Sequence, residues 1–410
     1  MIQKPRGTRD FLPPEMEHRR SVEQRMRERA SLWGYREVCT PEFEELALFT
    51  ARSGQGIIEE MYVFEDKGGR MLALRPEITA AVQRMYQNEA RVAPKPLRWF
   101  YFADCFRYER PQKGRYRQFW QFGIELIGSD TATGDAETIM LADDLLRSTG
   151  IGFKLHVGHL SFMKSLLSDL PPGEQRDAMR YLDKKDDQGL KNYLDLSGRA
   201  DLFESLSMLP ECRTLEEVAE VTGGVPEIGK IAETLDILDN AGTSYILDPG
   251  IARGLDYYTG MVFEAFAENL GAENQILGGG AYRLGQVLGG DDVPSCGFAV
   301  GFDRVMVALG EPTEKPVKAV GIVYTPQVRA HAVRIAQEFR AHDIRAELDV
   351  MGRGIGPQIT HASKSAKVVI IIGERELKSG TVTLRDLETG EQKELTVQEA
   401  VREVATRGPR

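Results

Sequence analysis

The residues of this chain best suited to chemistry are arginines and carboxylates set among aromatic rings. In Phe106-Arg107-Tyr108-Glu109 a guanidinium and a carboxylate stand two positions apart, which on a β-strand puts both on one face. Phe119, Gln121, Gly123 and Glu125 repeat that spacing further along, adding a ring, an amide and a second carboxylate. Between the two lies Glu109-Arg-Pro-Gln-Lys-Gly-Arg-Tyr-Arg117, in which Arg110, Lys113, Arg115 and Arg117 concentrate positive charge. Such a cluster suits phosphate, which arginine meets with paired N–H donors; a solvated basic turn accounts for the charge equally well. A hairpin with one water-exposed face is likewise the common source of alternating polar residues. Against it, Leu97, Trp99 and Tyr101 alternate with Phe100 and Phe102, so both sides of the strand read as covered. Charges buried there require partners or ligands.

These side chains need elements to hold them. Leu97 to Glu109 and Phe119 to Ile127 read as an antiparallel hairpin joined by the basic loop. Upstream, Val22, Met26, Ala30 and Trp33 recur at helical spacing after Pro13-Pro14 and stop at Gly34. From 158 to 243 the sequence turns helical and charged, punctuated by Pro171-Pro172-Gly173, which predicts an inserted helical subdomain. Strand-like, glycine-rich sequence returns from Ser244 to about Gly310, and Glu311-Pro-Thr-Glu-Lys-Pro316 reads as a linker. Beyond it, strand (Ala319 to Tyr324), helix (Arg329 to His342), strand (Arg345 to Val350), helix (Ile355 to Ala366) and strand (Val368 to Ile372) alternate as in a small parallel α/β unit. The expected organisation is a core in two parts, 1–157 and 244–313, with an insertion at 158–243 and a separate domain at 317–410.

A chain of 410 residues, 42% hydrophobic and 28% charged, suits a soluble protein of two or three domains. No stretch approaches the roughly 20 apolar residues that span a bilayer, so no membrane partner is expected. Met1 to Asp10 is polar and basic, without the apolar core of a secretory signal, and a cytoplasmic location is expected. Cys39, Cys105, Cys212 and Cys296 stand far apart with no Cys-x-x-Cys spacing, which suggests neither a disulfide framework nor a structural metal site. A net charge of −10 argues against a general nucleic-acid-binding module, so any such contact has to be local.

Three ordered segments resemble motifs one, two and three of the class II aminoacyl-tRNA synthetases. They are Gly34-Tyr35 with Val38 and Pro41, Phe106-Arg107-x-Glu109 with Arg115 and Phe119, and Gly297-Phe-Ala-Val-Gly301-Phe-Asp303-Arg304. Leu74-Arg-Pro-Glu77-Ile-Thr79 and Ala252-Arg253-Gly-Leu-Asp-Tyr257-Tyr258-Thr259 resemble signatures of the histidyl-tRNA synthetase family, and the likeness covers essentially the whole chain. It implies an α+β catalytic domain with an antiparallel sheet, a helical insertion, a C-terminal α/β anticodon-binding domain, and a homodimer formed around Pro41. The run Leu277-Gly-Gly-Gly-Ala281-Tyr282-Arg283 fits a further histidine signature with departures. Ala281 stands for an arginine, Arg283 for an aspartate, and the run to Gly289 is one residue short. In motif three, Asp303 stands for the commoner glutamate.

The function this resemblance implies is ATP-dependent activation of L-histidine to histidyl-adenylate, then transfer to the 3′ end of tRNA(His), with Mg2+ accompanying ATP. Arg107 and Arg253 would be the catalytic cations. ATP would further meet Glu109, Arg115, Phe119 and Arg304, with Phe119 and Arg304 sandwiching the adenine. Glu77, Thr79 and Gln121 would receive the ammonium group of histidine, and Glu125, Tyr257 and Tyr258 its ring. Arg110 and Gln112 would approach the acceptor end of the tRNA, and Arg353, Lys364 and Lys367 the anticodon. A related fold serves as a non-catalytic regulatory subunit of histidine biosynthesis. The Ala281 and Arg283 departures invite that alternative, and the Arg253 to Tyr258 signature opposes it.

Overall fold

Pro13 and Pro14 open the first helix, α1 (Pro13–Leu32), where a missing N–H costs nothing. Its buried stripe is Val22, Met26 and Ala30, and Gly34 turns the chain beyond it at φ +81°, a conformation that favours glycine. The computed structural model describes residues 2–53, 55–110, 114–252, 258–311 and 319–406. After α1 come β1 (Arg36–Glu37), β2 (Phe43–Glu45), α2 (Leu46–Ser53), β3 (Val63–Glu65), β4 (Met71–Leu74) and α3 (Thr79–Met85). The long hairpin follows as β5 (Leu97–Phe106) and β6 (Gln118–Ile127), then α4 (Ala132–Thr149) and β7 (Lys154–His159).

Helices then take over: α5 (Leu160–Leu166), α6 (Pro172–Asp183), α7 (Asp187–Leu196), α8 (Leu202–Met208), α9 (Leu215–Thr222) and α10 (Ile228–Asn240). Gly158 and His159, at the start of the expected insertion, still pair with Val262 and Met261 in the sheet. The chain returns through β8 (Ile246–Leu247), β9 (Tyr258–Phe266), β10 (Gln275–Tyr282), β11 (Ser295–Gly301) and α11 (Phe302–Leu309).

Eight strands form one sheet in the order β1-β5-β6-β11-β10-β9-β7-β8. The pairs from β5 through to β7 are antiparallel, and only the outer pairs β1–β5 and β7–β8 run parallel. The principal core packs one face of this sheet, with Phe100, Phe122, Ile124 and Leu126, against the apolar stripes of α1 and α4. A smaller three-stranded sheet, β2-β4-β3, stands apart from it.

The first compact unit ends at Glu311. The second contains β12 (Ala319–Tyr324), α12 (Arg329–Arg340), β13 (Arg345–Leu348), α13 (Ile355–Ala362), β14 (Val368–Ile372), α14 (Glu374–Ser379), β15 (Thr381–Asp386), β16 (Gln392–Thr396) and α15 (Val397–Thr406). Its strand order is β13-β12-β14-β15-β16, parallel among the first three as expected and antiparallel thereafter. The β15–β16 hairpin was not anticipated, because an edge strand such as Gln392–Thr396 faces water and lacks an apolar signal.

One ionic junction ties the first unit together. Asp303 is almost wholly buried and accepts from Arg9 Nη2 at 2.5 Å, Arg19 Nη1 at 2.8 Å and the Trp120 amide at 2.7 Å. It therefore joins α1, the segment before it, β6 and α11. Its short side chain supports the fold as well as bordering the cavity described below. Asp303→Ala would leave buried guanidinium groups without a carboxylate, and removing one partner of a buried pair costs about 3–5 kcal/mol. Denaturant unfolding should register a loss of that order; a change under about 1 kcal/mol would mean that water replaces the carboxylate.

Candidate active site

The β5–β6 register sets Tyr101 opposite Gly123, Ala103 opposite Gln121 and Cys105 opposite Phe119. A methyl group on Gly123 would overlap the Tyr101 ring, so glycine is what lets that ring lie flat across the neighbouring strand. On the face away from the principal core, Tyr101 and Cys105 pack with Val82 of α3 and with Ile78 and Tyr86, which flank it. Both faces of the hairpin are covered, as its doubled aromatic pattern predicts. The polar groups on the inner face of β6 accordingly open onto a cavity instead of bulk water.

That cavity has a volume of about 940 Å³. Glu77, Thr79, Gln121, Glu125 and Tyr258 line it, as do Arg107, Glu109, Arg115, Phe119 and Arg304. Sequence positions from 77 to 304 thus converge on one space. Arg253, Tyr257 and Gln112 lie outside the described residues, although Ala252, next to Arg253, is part of the wall. Arg110 is exposed and is not among the lining residues.

The strand-period argument for Arg107 and Glu109 does not hold. β5 ends at Phe106, and the Glu109 amide turns back to donate to the Arg107 carbonyl at 3.0 Å. Backbone contacts place Arg107 instead: Nε donates to the Pro76 carbonyl at 2.9 Å and the guanidinium lies 5.1 Å from the centre of the Phe119 ring. Glu109 is paired with Arg115, and its carbonyl accepts from Arg117 Nε at 3.1 Å. Arg304, from the first turn of α11, donates to the Gln275 carbonyl at 2.7 Å and the Gly114 carbonyl at 3.4 Å. Carbonyl oxygens thus help orient both Arg107 and Arg304 at the edge of the cavity.

The opposite part of the cavity is governed by Glu125, which is 1% exposed. Burial pushes its carboxyl up to about 8, and the like charge of Glu77 acts in the same direction. Hydrogen bonds from Tyr282, Thr79 and Tyr101 pull the other way. The Tyr282 hydroxyl donates to Oε2 at 2.6 Å and Tyr101 to Oε1 at 3.4 Å. Gln121 has its Oε1 occupied by the Cys105 thiol at 3.3 Å, and burial raises that thiol to about 12, so it acts as a donor and not as a nucleophile. Glu77 Oε1 accepts from the Ala80 amide at 3.0 Å, anchoring the start of α3.

Several participants escaped the sequence reading. Tyr101 looked like core, and Tyr282 stood in the segment where the family pattern breaks. Arg75, inside the quoted Leu74 to Thr79 segment, is buried and binds Asp104 Oδ1 at 2.9 Å and the carbonyls of Thr40 and Pro41 at 2.9 and 3.1 Å. It ties the loop after β1 to β5; its place inside the Leu74 to Thr79 segment was the available signal. Arg283 points elsewhere, pairing with Asp130 at 2.6 Å and Asp292 at 3.1 Å. Asp130 also binds Lys230 of α10 at 2.9 Å, so this departure forms an ionic link between the core and the helical insertion. Among the described residues, no group of three or more His, Cys, Asp or Glu is arranged to hold a metal ion.

Comparisons with known proteins bear on the whole chain. A family model described as histidyl-tRNA synthetase matches residues 7–305, and one described as an anticodon binding domain matches 317–407. The chain is 65% identical to a histidine–tRNA ligase of Methanoregula boonei and 64% identical to one of Methanoculleus marisnigri, each over 100% of both sequences. It is also similar in structure to apo histidyl-tRNA synthetase of S. aureus, with a TM-score of 0.76 and 29% identity over 98% of this chain and 100% of that one.

The Glu125 environment has a measurable consequence. Its carboxyl is near 4.5 unfolded and about 8 folded, so the fold prefers the protonated form. That preference is fully present below the unfolded value and is lost as pH rises towards 8. Relative to Glu125→Gln, wild-type stability should fall by up to about 1.4 kcal/mol per pH unit between about 4.5 and 8, then level off. Parallel stability curves for the two proteins across that range would contradict the burial argument.

Proposed function

The chain belongs to the histidyl-tRNA synthetase family and charges tRNA with histidine, and from this premise we propose how its cavity divides the work. The observation that supports the division is that three arginines and three uncharged or acidic acceptors border one enclosed space: Arg107, Arg115 and Arg304 with Glu77, Gln121 and Glu125. The arginines suit the triphosphate of ATP and the carboxylate of histidine, and the acceptors suit its ammonium group and ring.

In the first step the histidine carboxylate attacks the α-phosphorus, forming the adenylate while pyrophosphate leaves. Charge builds on the phosphoryl oxygens, and fixed guanidinium groups stabilise it without reorganising. Arg107 and Arg253 serve as the catalytic cations, and Arg115 holds the terminal phosphates when it releases Glu109. Phe119 and Arg304 bracket the adenine, with Glu109 near the base. Glu77, Thr79 and Gln121 meet the ammonium group; Glu125, Tyr257 and Tyr258 meet the imidazole. A ring with two polar nitrogens needs a partner for each, and a pocket built that way rejects side chains that leave its groups unpaired.

Mg2+ would neutralise phosphate charge. It takes oxygen ligands and keeps several waters, so one or two carboxylates suffice. Glu264, which borders the cavity, fits that requirement.

In the second step the adenylate passes its acyl group to the 3′ end of the tRNA. Arg110, exposed next to Glu109 of the cavity wall, would meet the acceptor end together with Gln112. In the C-terminal unit Lys364 is exposed, while Arg353 holds Asp349 at 2.9 Å and Lys367 holds Glu388 at 3.3 Å. Anticodon phosphates would compete with those carboxylates. A homodimer is supported by the small sheet, where Phe43 and Phe64 are 52% and 40% exposed and meet edge to face at 6.3 Å. A second copy of the chain would cover them. The reading as a regulatory subunit has no comparable support, since curated ligases match the full length at high identity.

Pyrophosphate exchange into ATP, run with each amino acid in turn and followed by tRNA charging, tests the reading. Exchange should depend on histidine alone, and a response to another amino acid would refute the pocket. Arg253→Ala should slow adenylate formation by orders of magnitude while histidine still binds. A rate within a few-fold of wild type would remove Arg253 from the catalytic pair.

A further inference from the structure

Behind Glu125 runs a chain of buried polar groups in which each donor direction is set by the one before it. Ser295, Gln83 and Tyr282 are each 2% exposed or less. Ser295 Oγ donates to the Val293 carbonyl at 3.4 Å, which can only accept. Having used its proton, that hydroxyl accepts from Gln83 Nε2 at 3.5 Å. The same amide nitrogen donates to the Tyr282 hydroxyl at 2.8 Å. The tyrosine proton is then directed to Glu125 Oε2 at 2.6 Å. Turning the amide over would set its oxygen against a tyrosine already committed to a carboxyl and would leave Ser295 without its donor.

We propose that Gln83 is a positioning residue for substrate specificity: by donating to Ser295 and Tyr282, it directs the tyrosine proton to Glu125 and keeps that carboxyl an acceptor for a ring N–H of histidine. Gln83 does not border the cavity and acts only through Tyr282. The inference rests on the reading that Glu125 receives the imidazole.

The groups facing Glu125 come from several elements: Glu77 from the segment before α3, Thr79 from α3, Tyr101 from β5 and Tyr282 from β10. Tyr282 donates at 2.6 Å against 3.4 Å for Tyr101 and lowers the titration most, so its orientation dominates. A hydrogen bond to the ionised carboxyl favours ionisation, and losing it moves the titration upward.

Gln83→Met keeps the length of the side chain and removes the donor. In histidine-dependent pyrophosphate exchange, it should raise KM for histidine about tenfold, the weight of one buried hydrogen bond, with KM for ATP unchanged. The acid limb of kcat/KM for histidine should move to higher pH by up to about one unit; the titration of free histidine is common to both enzymes and cancels. Tyr282→Phe should move it the same way, and the double variant should add nothing further. An equal rise in KM for ATP, an unmoved acid limb, or additive effects in the double variant would each overturn the proposal. Should Gln83→Met fail to fold, Ser295→Ala carries the test, because it loosens the amide and should produce a smaller shift of the same sign; no shift would overturn it. Absence of histidine-dependent exchange in the wild type would refute the underlying reading instead.

Discussion

Glu125 sits in the middle of an eight-stranded sheet almost out of reach of water, and an ionisable group can remain there only when its neighbours satisfy it. Much of the surrounding structure follows from that constraint. Gly297 on β11 is opposite Glu125, where a methyl group would overlap its carboxylate. Gly123 admits the Tyr101 ring, and Tyr282 from β10 donates to the same carboxyl. Glycines on two strands thus make room for one buried acid and one of its donors.

Arginine serves two separate purposes here, distinguished by what each guanidinium touches. Arg19 and Arg75 are spent on Asp303 and Asp104, and they hold together segments remote in the chain. Arg107 and Arg304 are steered by carbonyl oxygens towards the cavity that both border. Arg115 stands between the two, exposed in part and paired with Glu109. An anion entering the cavity would exchange one oxygen partner for another, which costs less than charging an apolar pocket. A local concentration of fixed cations is also how a chain of net charge −10 can address phosphate.

The departures from the family pattern fall on two sides of that arrangement. Asp303 binds Arg9, Arg19 and the Trp120 amide, so its short carboxylate has a structural use. Arg283 turns away to Asp130 and Asp292, and through Asp130 and Lys230 it connects β10 with α10 of the insertion. Both side chains brace the first unit through ion pairs with residues other than Glu125.

The sequence by itself determined which faces are buried. The period of two on β6 put Phe119, Gln121 and Glu125 on one side, the stripe of Val22, Met26 and Ala30 oriented α1, and the linker after Glu311 marked the second unit. Those features are local, and periodicity records them directly. The limit of the method shows at Arg107 and Glu109, where the strand had already ended and backbone carbonyls took over the placement. Only the tertiary structure decided that Tyr282 would donate to Glu125, 157 residues away, and that Arg19 would meet Asp303 across 284. Spacing along a strand or helix specifies direction, whereas a partner from a distant segment is chosen by sheet order and packing, which no local pattern encodes.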